Sequence, residues 1–99
     1  MARHELKILP QYFDAQLSGA KPFEVRCFDR DYQVGDEILL REIHPPYNVA
    51  RPGAYTGRTI LLIITYLLSG HDFEGIATGY VVLGTKFIAE AVSPNETKN

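Results

Sequence analysis

The sequence predicts a mainly β domain of the α+β class: a small, partly closed β-barrel of five or six short strands, with one helix covering an opening. Three observations carry this expectation. Short runs of alternating apolar and polar residues recur along the chain, separated by Gly, Pro and Asp. Helical spacing is confined to Pro10–Ser18. The chain has 99 residues, enough for one modest core, whereas a doubly wound sheet needs helices between its strands.

The elements follow in order. Leu6 and Ile8 alternate with Glu5 and Lys7, which predicts a strand over residues 4–9. Pro10 suits the first helical turn, where its missing N–H is not needed. Phe13 and Leu17 lie four apart on one helix face, and Gly19 is placed for a left-handed cap. In Pro22–Phe28, Phe23, Val25 and Cys27 form one strand face and Glu24 and Arg26 the other. This alternation sends Cys27 to an apolar, packed face, where a thiol is inert.

Asp29-Arg30-Asp31 and Gly35-Asp36 are turns, and a strand follows over Glu37–Ile43. Residues 44–57 read as a loop containing Pro45, Pro46, Pro52 and Gly53. Arg58–Leu68 reads as a long strand buried on both faces for much of its length. Gly79–Gly84 reads as a further strand and Lys86–Ile88 as a short last one. One domain over residues 1–92 and a polar, frayed tail over 93–99 are expected.

Composition bounds the function. The chain is 45% hydrophobic and 22% charged, which fits a globular domain. Ten Lys and Arg against twelve Asp and Glu give a net charge of −2, which argues against coating nucleic acid by bulk charge. The apolar run Ile60–Leu68 is far below the roughly 20 residues that a membrane-spanning helix needs. Met1-Ala2-Arg3-His4-Glu5 has no apolar leader, and a single cysteine excludes an internal disulfide, so a cytoplasmic location is expected. His4, His44 and His71 are too scattered for a metal site, and no metal or cofactor is expected.

The segment richest in chemistry is Gly19–Arg26. It sets Lys21 at the helix–strand junction and puts Glu24 and Arg26 on one strand face, about 6.5 Å apart along the axis. A lysine and an arginine flanking a carboxylate can hold a phosphate and accept a donor from a base edge; a solvated polar face is the plain alternative. Residues 43–58 carry Arg51 and Arg58 and no acid. There Tyr47 and Tyr55 could stack on an unpaired base while Arg51 or Arg58 meets a phosphate.

The stretches His4–Ile8, Pro10–Phe13 and Leu17–Arg26 resemble the ASCH branch of the PUA-like superfamily. The similarity continues through Asp29–Asp36, Leu39–Glu42, Tyr55–Arg58 and Gly79–Gly84. Within ASCH the chain looks closest to a small bacterial and phage group of uncharacterised single-domain proteins. The resemblance implies a PUA-like β-barrel with a cleft beside the first helix, lined by Lys21, Glu24 and Arg26, that binds RNA or a nucleotide.

Some ASCH relatives are amidohydrolases that remove the acetyl group of N4-acetylcytidine. They resemble this chain at Lys21 but carry a Thr as proposed nucleophile where this chain has Glu24. Here the carboxylate would act as general base for a water and Lys21 would stabilise the oxyanion, with Glu74 a further candidate carboxylate. The expectation is therefore an RNA-binding module. An amidohydrolase on a modified nucleoside and a protein-interaction domain are the alternatives.

Overall fold

The computed structural model describes residues 1–45 and 53–92. Its elements are β1 (Arg3–Ile8), α1 (Pro10–Ser18), β2 (Phe23–Cys27), β3 (Glu37–His44), β4 (Ala54–Ser69) and β5 (Tyr80–Val92). The five strands form one sheet in the order β1-β3-β4-β5-β2, with β1 parallel to β3 and the other pairs antiparallel.

The sheet curls into a half-barrel. Register shifts at Arg41/Ile43, Leu61/Leu62 and Ile64/Tyr66 mark the irregularities that bend β3 and β4. Its concave side holds the core: Leu6 and Ile8, Ile38 and Leu40, Ile60, Leu62 and Ile64, and Val81 and Leu83. Phe13 of α1 closes that core with no exposed surface, and Tyr32 joins it from the turn before β3. Burying one such side chain stabilises the fold by about 1.5–3 kcal/mol.

The helix has the bounds its sequence predicts. Pro10 starts it, and Gly19 ends it at φ 85°, with its N–H bonded to Gln16 O. The buried face differs from the expectation: Phe13 is buried with Gln16, one turn on, while Leu17 stays exposed.

Three further expectations change. The strands predicted over 79–84 and 86–88 are one strand, β5. Gly84 lets it run on past β4, because a Cβ there would meet Tyr66 Cβ at 3.2 Å. The loop predicted over 44–57 is shorter among the described residues, since β3 continues through His44 and β4 starts at Ala54. β4 is buried on one face only, as Leu61 and Ile63 on the convex side are half-exposed. As expected of a partly closed barrel, backbone pairing does not close the sheet among the described residues, and β1 and β2 remain as its two edges.

The tail over 93–99 lies outside the described residues, as do Tyr47 and Arg51. Among the described residues no helix is long and apolar enough to cross a membrane.

Candidate functional site

The alternation in β2 is as predicted, with its faces reversed. Phe23, Val25 and Cys27 are exposed, whereas Glu24 points into the half-barrel with 3% of its side chain accessible. The reason lies in the cross-strand partners. Glu24 sits opposite Leu83 and Arg26 opposite Val81, and both partners are core residues. Cys27 faces outward beside Tyr80, so the packed thiol expected from the sequence is an exposed one.

A buried carboxylate must be paired to be tolerated, and Glu24 is paired on both oxygens. Its Oε2 accepts from Lys21 Nζ at 2.5 Å and from Gln16 Nε2 at 2.7 Å. Its Oε1 accepts from Arg26 Nη2 at 2.9 Å. Arg26 Nη2 also donates to the carbonyl of Lys7 at 3.0 Å. One guanidinium therefore bridges β2 to β1 across the gap between the edge strands. Lys21 lies between two rings, 5.9 Å from the centroid of Tyr12 and 5.2 Å from that of Phe23.

Around this cluster lies a cavity of about 350 Å³, lined by Ile8, Leu9, Tyr12, Lys21, Glu24, Val25 and Arg26. The end of β1, the first turn of α1 and the edge strand β2 supply its walls. Lys21, Glu24 and Arg26 thus meet at one cleft beside α1. Two cations against one carboxylate leave a local charge of +1.

Tyr55 and Arg58 do not line this cleft. The Arg41 guanidinium lies 3.6 Å from the centroid of the Tyr55 ring and covers it. Arg58 sits over the Phe13 ring at 4.3 Å, within 3.9 Å of Asp14, 3.7 Å of Glu42 and 3.6 Å of Glu90. Its charge is met by three carboxylates from α1, β3 and β5. Glu74 is exposed in the turn before β5 and does not line the cavity either.

Gln16 and Tyr12 escaped the sequence reading. The signal for Gln16 was its place three residues after Phe13, which puts both on one helix face. His4 gives no signal in the sequence beyond being too distant from His44 and His71 to share a metal. It is buried on β1, with Nε2 2.9 Å from Asp36 Oδ2 and its ring against Tyr32. Asp36 also accepts from the N–H groups of Ala2 and Gln33. Its bond to His4, with these two amides, holds its carboxyl below the ordinary carboxylate range against the opposing effect of burial. Burial pushes the Tyr32 phenol up. Among the described residues no group of His, Cys, Asp and Glu gathers as a metal site would require.

An open half-barrel with a cationic cleft between its edge strands is the class of structure that the geometry defines. Residues 3–85 match the family described as a domain of unknown function, DUF3850, and the chain belongs to that family. It is similar to an uncharacterized 12.9 kDa protein in the GpA 3′ region of Escherichia phage P2, with 39% identity over 62 residues. The match covers 63% of this chain and 50% of the phage protein, so the chain spans about half the length of that relative.

Proposed function

We propose that this chain is a small RNA-binding module of the ASCH, PUA-like kind, which grips an RNA phosphate or nucleotide in the cleft of Lys21, Glu24 and Arg26. The observation that carries the reading is the commitment of both Glu24 oxygens to Lys21, Arg26 and Gln16. A carboxylate so engaged orients its two cations and leaves the cluster with excess positive charge. That is the arrangement an anion-binding site needs. The acidic total does not oppose it, since the field at one cleft is set locally.

The same geometry gives the amidohydrolase alternative less support. Three of the roughly four acceptor sites of Glu24 are taken by Lys21, Gln16 and Arg26, which leaves little of it to activate a water, and Glu74 is elsewhere.

The test is fluorescence anisotropy with a labelled single-stranded RNA octamer at low salt. Binding should weaken about tenfold in Lys21→Ala and in Arg26→Ala. With one phosphate met by the two cations, the slope of log affinity against log salt should be about −0.7. No binding by the wild type, or affinity unchanged from the wild type in both variants, overturns the reading. Release of acetate from N4-acetylcytidine, lost in Lys21→Ala, would replace it with the hydrolase.

A further inference from the structure

β2 is an edge strand, and its pairing parity decides where its main-chain groups point. Thr85 N donates to Pro22 O, and Phe28 N donates to Gly79 O. With the register Glu24↔Leu83 and Arg26↔Val81, the even-numbered residues turn N–H and C=O toward β5. Phe23, Val25 and Cys27 therefore turn theirs to the open edge. Phe23 confirms the parity, since its carbonyl accepts from Gln16 Nε2 and Lys21 Nζ, both at 2.9 Å. β1 meets the same gap from the other side, where the Lys7 carbonyl accepts from Arg26.

Val25 is the residue that matters. It lines the cleft with Lys21 and Arg26, and it also lines a second cavity on the convex face with Tyr80 and Val82. Its side chain belongs to the convex face, opposite Val82 and on the other side of the strand from Glu24 and Arg26. What it offers the cleft is main chain: an N–H donor and a C=O acceptor side by side, as in any extended residue.

We propose that the main-chain edge of Val25 reads the Watson–Crick edge of one unpaired RNA base, held in the cleft while Lys21 and Arg26 take its phosphate. This rests on the RNA-binding reading and deepens it. Each base carries a donor beside an acceptor on that edge. The contact therefore selects unpaired over paired nucleotides rather than one base over another. A cavity of about 350 Å³ suits one nucleotide better than an extended peptide, and the half-exposed Tyr12 ring on its wall gives the base a stacking face.

The experiment compares octauridylate with an octamer of 3-methyluridine, which has the same phosphates and ring faces but a blocked edge. The full chain should bind the methylated octamer at least tenfold more weakly. In ¹⁵N NMR spectra the Val25 amide should shift with octauridylate and stay in place with the methylated octamer. Val25→Pro removes a donor that the β2–β5 ladder does not use. With circular dichroism unchanged, it should lose the discrimination between the octamers.

Equal, Lys21-dependent affinity for both octamers overturns this inference and leaves the RNA reading standing. Binding of neither overturns both. An extended peptide that moves the Val25 amide where octauridylate does not assigns the edge to peptide and overturns the inference.

Discussion

Two buried glutamates in this half-barrel have opposite surroundings. Glu24 on β2 gathers two cations and an amide at 2.5–2.9 Å, at the gap between the edge strands. Glu42 on β3 takes the Thr56 hydroxyl at 2.8 Å and shares Arg58, at 3.7 Å, with Asp14 and Glu90. The first cluster has one carboxylate and two cations, the second three carboxylates and one cation. Arg58 is consumed in tying α1, β3, β4 and β5 together, whereas Lys21 and Arg26 carry charge beyond what Glu24 cancels. A basic residue on the surface is thus no guide to an anion site until its local partners are counted.

The largest expected effect comes from Glu24→Ala. Removing the anchor leaves two partly buried cations and Gln16 without their shared acceptor, at a cost of about 3 kcal/mol. In a domain of this size thermal denaturation should show a midpoint lower by more than about 10 °C. A fall of only a degree or two would mean that the carboxylate is not anchored as the geometry indicates.

Next is the contrast in binding. Lys21→Ala and Arg26→Ala should each weaken RNA affinity about tenfold, about 1.4 kcal/mol, while Arg58→Ala leaves it unchanged. Titrating all three proteins with one oligomer makes the comparison, and an equal loss in Arg58→Ala would erase the distinction between the clusters.

Glu42→Gln should cost only about 1 kcal/mol, because the amide oxygen still accepts from Thr56 and Arg58 keeps two other carboxylates. Urea denaturation beside Glu24→Ala would measure that ratio.

Last comes a third buried carboxylate, Asp36, whose contribution changes with pH only in acid. Its folded-state pKa is lowered, mainly by the bond to His4. Its contribution is therefore complete above the ordinary carboxylate range and is lost as pH falls through that range toward the lowered value. Melting temperatures of the wild type and Asp36→Asn should differ most at neutral pH and converge on acidification. A constant gap would exclude that linkage.

Much of the scaffold was legible because its signals are local. Pro10 and Gly19 bound the helix, and the spacing of Lys21, Glu24 and Arg26 brought the three together. The basic loop failed as a guide where it could be followed. Composition counts Arg58 as positive, while Asp14, Glu42 and Glu90 arrive from elsewhere in the chain to neutralise it. Gln16 was hidden for a similar reason: a polar residue on a helix gives no sign of a buried acid waiting for it.

By itself the sequence determined a mainly β chain with one short helix, and the alternation that divides β2 into an apolar and a charged face. It could not say which face turns inward, because a period of two is symmetric about the strand. Tertiary structure decided that. Pairing with β5 set Glu24 and Arg26 opposite the core residues Leu83 and Val81, and α1 supplied Gln16 to satisfy the buried charge. It also decided that β1 and β2 end as facing edges bridged by one guanidinium, because the strand order that separates them is a property of the whole sheet.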